Sequence, residues 1–358
     1  MKTSHGDRET KFQAKPHKLL VSALEPSSNL HLKALYPHLG EVEICGIFDE
    51  SLGTPLYSPK EFSVMGIKDV IGKIFSAKEA MAELVFLAGD ADKVLLIDAP
   101  AFNLPLAKKI KQMYPDKEIS YYVLPKVWAW KKKRAAKVDA YCDKLLSIFP
   151  FEDQFYPRAT YVGNPLMDEI KEFKTEVTSN NKIAFLAGSR KSEVRGLMPY
   201  YHELRQKHNE EALLVIPPHF SDEEIAELYG DISEFTVIRE THEALLQADF
   251  AYVCSGTATL ECSLIGTPMV LVYKANALEM WIGRKFVKLS HVGLANIIND
   301  FEDKEEMHVE LIQAEVSVES MYKVYETIDK QKFLQDSIKL REELGKSRLK
   351  DVAEIILN

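Results

Sequence analysis

Asp98 closes an apolar run, Val94-Leu95-Leu96-Ile97, and is followed by Ala99-Pro100-Ala101-Phe102-Asn103. A carboxylate at the carboxyl end of a buried strand faces the crevice where open α/β sheets bind ligands, and there it can take a proton from an attacking hydroxyl. Asp ahead of a loop also serves as an N-cap or turn residue; spacing alone leaves both readings open. Gly188-Ser189-Arg190 lies between a predicted strand and a helix expected to begin near Ser192. Glycine lets the backbone come close to a ligand, helix-start amides suit an anion, and the guanidinium is a planar donor matched to phosphate oxygens. A plain structural turn with a surface Arg would look the same. Ser255-Gly256-Thr257-Ala258-Thr259-Leu260-Glu261 joins a small flexible turn, hydroxyls, a helix start and a carboxylate about two turns on. That combination favours a diphosphate on the amides with ribose hydroxyls on the carboxylate over a merely capped helix.

The elements that must position these residues read as continuous apolar runs separated by helical patterns. Lys18–Ser22, Val42–Phe48, Val94–Ile97, Ile119–Val123 and Leu145–Ile148 are predicted strands in the first half. After the turn-rich stretch Asp168–Asn181 the pattern restarts with Ile183–Leu186, Leu213–Ile216, Phe235–Ile238, Phe250–Val253 and Met269–Tyr273. Runs apolar throughout, rather than alternating, belong to parallel strands covered on both faces. The expected fold class is therefore α/β, with two doubly wound Rossmann-like domains and a cleft between them. The expected boundaries are a polar extension over 1–16, a first domain over 17–167, a second over 168–315, and C-terminal helices over 316–358 that pack back on the first domain or on a partner subunit. Ile67, Val70, Ile71, Ile74 and Phe75 share one helix face, read either as burial against the sheet or as an interfacial, acyl-contacting helix.

Composition removes several classes. With 45 Lys and Arg against 54 Asp and Glu, the net charge of −9 argues against a nucleic-acid binder. The basic run Lys131-Lys132-Lys133-Arg134 is local, beside Val127-Trp128-Ala129-Trp130, and reads either as a solvated helix face or as cations for anionic lipid headgroups. Four scattered cysteines without ligand spacing read as reduced structural thiols. The first sixteen residues lack the apolar core of a signal peptide, and no run approaches the length of a spanning helix. The ten histidines show no paired spacing, so no metal site and no cofactor are expected. Serine-hydrolase and P-loop signatures are absent.

Taken in order over roughly residues 18 to 315, several segments together resemble the lipid-A-disaccharide synthase family of inverting GT-B glycosyltransferases. They are Val64-Met65-Gly66-Ile67, Ile97-Asp98-Ala99-Pro100 with Phe102-Asn103, Val127-Trp128-Ala129-Trp130 with Arg134, and Phe149-Pro150-Phe151-Glu152 with Phe155-Tyr156. Gly188-Ser189-Arg190 with Glu193-Val194, Ser255-Gly256-Thr257-Ala258 with Leu260-Glu261, Leu294 with Asn296, and Glu310-Leu311-Ile312-Gln313 complete the set. The resemblance implies UDP-2,3-diacylglucosamine as donor, 2,3-diacylglucosamine 1-phosphate as acceptor, and a β-1,6-linked disaccharide 1-phosphate plus UDP as products. It implies Asp98 as general base. Gly188, Ser189, Arg190, Ser255, Gly256, Thr257 and Glu261 are implied on the UDP side, with Asn296, Glu310 and Gln313 as further nucleotide-side residues. Glu25, Ser27, Asn29 and Asn103 are expected on the acceptor side. The chain departs from the family pattern in its first loop, where Leu24-Glu25-Pro26-Ser27-Ser28-Asn29 lacks the usual two glycines and Asp, and at Asn164 and Ala295, where His and Pro are usual.

The implied setting is the cytoplasmic face of a Gram-negative inner membrane, with peripheral attachment and a homodimer as one form of assembly. A UDP-sugar epimerase of the same fold and a non-catalytic nucleotide-sugar or lipid-binding protein are the rival readings. Acceptor-dependent release of UDP separates the transferase from the epimerase.

Overall fold

The computed structural model describes residues 17–59, 70–129, 132–177, 179–274, 289–345 and 348–358, with backbone alone over 70–77. The apolar runs form two sheets. The first contains β1 (His17–Ser22), β2 (Val42–Ile47), β3 (Lys93–Ile97), β4 (Ile119–Tyr122), β5 (Lys144–Ser147) and β6 (Ala159–Tyr161), in the order β2-β1-β3-β4-β5-β6. The second contains β7 (Lys182–Leu186), β8 (Glu211–Val215), β9 (Thr236–Ile238), β10 (Phe250–Cys254), β11 (Met269–Tyr273) and β12 (Glu310–Ile312), in the order β12-β11-β10-β7-β8-β9. All five strand pairs of the second sheet are parallel, as are β2–β1, β1–β3, β3–β4 and β4–β5 of the first. Helices occupy the connections between strands, which parallel pairing demands. This is the doubly wound α/β architecture read from the sequence.

By internal contacts the chain divides into two units. One holds the described residues up to Pro125 with Ala136–Leu146 and Leu349–Asn358; the other holds Lys126–Ala135 and Ser147–Arg348. The C-terminal helix Leu349–Leu357 thus belongs to the first unit, where it packs on the helix Pro26–Leu35 and on β3. The helices Val318–Thr327 and Lys330–Leu344 belong to the second.

Burial explains the strand composition. Leu19, Leu20, Val21, Leu95, Leu96 and Tyr121 are buried in the first unit; Phe185, Phe250 and Tyr252 are buried in the second. The Tyr201 hydroxyl, on the helix Lys191–Lys207, reaches the carbonyls of Leu186 and Tyr252 at 3.1 and 3.2 Å. It thereby ties the carboxyl end of β7 to the middle of β10. Each sheet reverses its direction of winding once, between β1 and β3 in the first and between β7 and β10 in the second. In this architecture the crevice beyond such a switch point is where ligands bind.

Two short edge strands, β6 and β12, were not among the predicted ones. Their sequences, Ala-Thr-Tyr and Glu-Leu-Ile, are not continuous apolar runs, so neither registers as a buried strand. None of the four cysteines is in a disulfide. Among the described residues no helix is long and apolar enough to cross a membrane.

Candidate functional site

Asp98 leaves the carboxyl end of β3 at the switch point of the first sheet and is half-buried. Asp98 and Ala99 both adopt left-handed backbone, with φ of 48° and 44°, before Pro100 opens the helix Pro100–Met113. A non-glycine residue held there costs about 1–3 kcal/mol, so the surroundings must over-determine the turn. They do. The Asp98 amide donates to Tyr122 O at 3.0 Å, and the Asp98 carbonyl accepts from the Tyr121 hydroxyl at 2.5 Å and from Asn103 Nδ2 at 2.8 Å. Asn103, fully buried, also donates to Ile97 O at 3.2 Å and accepts from the Ser22 hydroxyl at 2.7 Å. Its amide thus braces the turn from beneath.

Asn103→Ala is expected to lower stability by about 1–3 kcal/mol, because the Ser22 hydroxyl and the strand-end carbonyls lose a partner. It should lower turnover as well, since the turn that aims Asp98 loosens. Thermal denaturation and steady-state rates check this; an unchanged melting temperature would contradict it.

The first loop lies on the same unit. Glu25 and Ser27 are exposed, with Pro26 opening the helix Pro26–Leu35. Asn29 is buried: its Nδ2 donates to Ala23 O at 2.8 Å and Glu25 O at 2.9 Å, and its Oδ1 accepts from the Asp49 amide at 2.8 Å. In this structure Asn29 and Asn103 spend their side chains on internal hydrogen bonds. Of the residues expected to touch acyl chains, Ile67 lies outside the described residues, and for Val70, Ile71, Ile74 and Phe75 only the backbone is described, at the start of the helix Val70–Asp90.

At the switch point of the second sheet is a cavity of about 340 Å³ lined by Gly188, Ser189, Arg190, Ser255, Gly256, Thr257 and Glu261. Adjacent pairing of β7 with β10 brings the two loops together. Gly188 has φ +97°, and a Cβ there would stand 2.5 Å from Glu193 Oε2 and 3.0 Å from Cys254 Sγ. That close approach lets the buried Glu193 carboxylate organise the loop: Oε2 accepts the Ser189 and Arg190 amides at 3.1 Å each, and Oε1 holds Arg190 Nη1 at 2.7 Å. Arg190 is otherwise open to solvent, with its side chain 74% exposed. The amides of Ser189 and Arg190 are therefore taken by the chain's own carboxylate.

The second loop is different. Gly256, φ +153°, precedes the helix Thr257–Ile265 and supplies no side chain to cap it; a Cβ there would meet nothing within 4 Å. The start of this helix faces the cavity with room beside it, the arrangement that suits an anion. Burial pushes the Cys254 thiol up to about 12, so the thiol itself adds no charge to the cavity.

Glu193, Thr241, Val215, Pro217 and Cys254 line the cavity as well, and none was singled out as a site residue from sequence. An acid in the first turn of a helix that follows a Gly-Ser-Arg loop was the available signal for Glu193. Thr241, on a neighbouring helix, had none.

Asn296, Glu310 and Gln313 do not line the cavity. Asn296 is buried and bridges two segments: Nδ2 donates to His308 O and Glu310 Oε1, both at 2.9 Å, and Oδ1 accepts from the Met307 amide at 2.8 Å. Glu310 accepts the amides of Val292 and Gly293 at 2.8 and 3.0 Å. Gln313 follows β12 with a left-handed φ of 59°. Of the aromatic motif, Trp128 belongs to the core of the second unit, and Trp130 lies outside the described residues. Trp128 packs edge-on against Phe149, Phe151 and Phe301, and its Nε1 donates to the buried Glu152 at 3.2 Å. Asn164 is likewise buried, between Ile148 O and the Leu166 amide. Among the described residues no group of three or more His, Cys, Asp or Glu is placed to hold a metal ion.

Two doubly wound parallel sheets, with an anion-suited cavity at the second switch point, form the architecture of the GT-B glycosyltransferases. The solved structure of spinosyn rhamnosyltransferase SpnG complexed with thymidine diphosphate matches with a TM-score of 0.61, covering 96% of this chain and 100% of that one; at 13% identity the likeness is one of fold. The lipid-A-disaccharide synthetase family model matches residues 19–358. The lipid-A-disaccharide synthase of Campylobacter jejuni strain RM1221 is 47% identical over 359 residues, covering 94% of this chain and 98% of that protein. That of Helicobacter pylori strain Shi470 is 44% identical over 350 residues, covering 94% and 96%. The chain belongs to the lipid-A-disaccharide synthase family, and the epimerase and non-catalytic readings are not favoured.

Proposed function

We propose that this glycosyltransferase moves 2,3-diacylglucosamine from its UDP derivative to 2,3-diacylglucosamine 1-phosphate, forming a β-1,6 linkage with inversion and releasing UDP. The observation that carries the assignment of roles is the braced, strained turn that holds a carboxylate at the first switch point. Asp98 takes the proton from the acceptor 6-hydroxyl as that oxygen attacks the anomeric carbon. The bond from that carbon to the β-phosphate oxygen breaks, and the electron pair leaves with UDP. Negative charge gathers on the departing diphosphate, where Arg190 and the first-turn amides of Thr257–Ile265 stabilise it. Gly188, Ser189, Ser255, Gly256 and Thr257 shape that site, and Glu261 takes the ribose hydroxyls. Asn103 and Asn29 support the acceptor side from within the fold. Asn296 and Glu310 support the donor unit by bridging its segments.

The acyl chains of both substrates partition into a bilayer, which supports peripheral attachment to the inner membrane's cytoplasmic face.

Purified protein supplied with both acylated sugars is expected to yield a disaccharide 1-phosphate by mass spectrometry, with UDP release that requires the acceptor. Isomerised donor without disaccharide would overturn the reading in favour of an epimerase. Arg190→Ala is expected to weaken UDP binding by about 10- to 100-fold, the loss of a charge-assisted contact worth about 1.5–3 kcal/mol. Calorimetric titration checks it, and an unchanged affinity would remove Arg190 from the diphosphate site.

A further inference from the structure

The donor cavity contains one ionic contact that the reaction as described does not use. His242 Nε2 lies 2.9 Å from Glu261 Oε1, with the His side chain 36% and the Glu side chain 12% exposed. His242 sits on the helix Thr241–Gln247, whose first residue lines the cavity and which packs against the helix Thr257–Ile265 carrying Glu261. The Thr267 hydroxyl donates to Leu245 O at 2.7 Å, so the helix bearing His242 is pinned to the chain just beyond the helix bearing Glu261. The approach is a close ion pair and not an aligned hydrogen bond, and His242 Nε2 has no hydrogen-bond partner among the described residues.

The charges of the cavity wall point the same way. Arg190, Glu193 and Glu261 are its ionic residues, and Arg190 is bound to Glu193 at 2.7 Å. That pairing leaves the Glu261 carboxylate uncompensated beside a site for a diphosphate. Like charges at such range oppose binding. His242, when protonated, is the cation in contact with that carboxylate.

We infer that His242 is a positioning residue for the nucleotide: it holds Glu261 by Oε1, turns Oε2 toward the ribose hydroxyls, and offsets a negative charge next to the diphosphate. The inference rests on reading this cavity as the UDP site and names what makes Glu261 effective there. The carboxylates of Glu261, Glu169 and Glu240 act on the imidazole, and Glu261, the largest influence, holds its pKa above the ordinary value against the opposing effect of burial.

The test is a thermodynamic cycle between ligand and variant. UDP and 2′,3′-dideoxy-UDP are titrated into the full-length wild type, His242→Ala, His242→Gln and Glu261→Ala, with melting temperatures recorded in parallel. Wild type is expected to prefer UDP by roughly 10- to 100-fold, the worth of hydrogen bonds to a charged acceptor. In His242→Ala that preference should fall to about three-fold or less. In His242→Gln, which keeps a donor near the same position, more of it should survive. A structural role alone would weaken both nucleotides equally, and an undiminished preference in His242→Ala or an equal loss for both ligands would overturn the inference. Glu261→Ala serves as the control for the underlying reading. If it keeps the wild-type preference, Glu261 does not read the ribose; if it loses the preference while His242→Ala does not, only the role of His242 fails.

Discussion

Replacing Asp98 by Asn is expected to lower kcat by about 10² to 10⁴ while leaving UDP affinity within about two-fold of wild type. The substitution isolates chemistry from folding unusually well. Position 98 has a left-handed backbone, φ 48°, and Asn is among the few residues that enter that region at low cost. The hydrogen bonds that hold the turn use the Asp98 amide and carbonyl, with Tyr122, Tyr121 and Asn103 as partners, and all survive the change. What is lost is the proton acceptor. A factor of 10² to 10⁴ corresponds to about 2.7–5.4 kcal/mol of transition-state stabilisation. Single-turnover rates with saturating donor and acceptor measure it. A rate within a few-fold of wild type would remove Asp98 from the mechanism, and a large drop in melting temperature would mean that the carboxylate supports the fold instead.

Gly188→Ala should damage both the second unit and its cavity, and Gly256→Ala should damage the cavity far more than the fold. A Cβ at 188 would stand 2.5 Å from Glu193 Oε2 and 2.9 Å from Glu193 Cβ, so the carboxylate that holds the Ser189 and Arg190 amides would have to leave. Added to the cost of φ +97° for an L-residue, the loss is about 2–4 kcal/mol, or a fall in melting temperature on the order of 4–16 °C for a domain of this size. UDP affinity should fall by at least about 30-fold, because Arg190 loses its anchor and the loop its shape. At 256 the added methyl meets no protein atom within 4 Å, leaving chiefly the cost of φ +153°. The melting temperature should therefore fall by only a few degrees, while UDP affinity still drops about ten-fold if phosphate oxygens approach the helix start there. Calorimetry and thermal denaturation of the two variants side by side separate a glycine required by its neighbours from one required by a ligand. Equal UDP affinity in Gly256→Ala and wild type would place the diphosphate elsewhere.

The α/β class and ten of the twelve strands among the described residues were legible in the sequence, because burial on both faces is a local property of composition: Leu19-Leu20-Val21 and Phe250-Ala251-Tyr252-Val253 have nowhere else to go. The chemistry-bearing turns were legible for a related reason. A strand that stops at Asp98, Gly188 or Ser255 announces the end of the sheet where ligands bind. Strand order was not legible. Only the tertiary structure sets β7 beside β10, and that pairing is what brings Gly188, Arg190, Gly256 and Glu261 around one cavity. The direction of a side chain was not legible either. Asn29, Asn103 and Asn296 carry the same amide that would serve a sugar, yet each lies in the core with its hydrogen bonds spent on backbone carbonyls, amides, a buried hydroxyl or a carboxylate. His242 shows the opposite case, a residue with no motif of its own that packing places against Glu261. Composition reports how much of a segment must be hidden from water, whereas the partner of a polar group depends on which distant segment packs against it, and no local pattern encodes that.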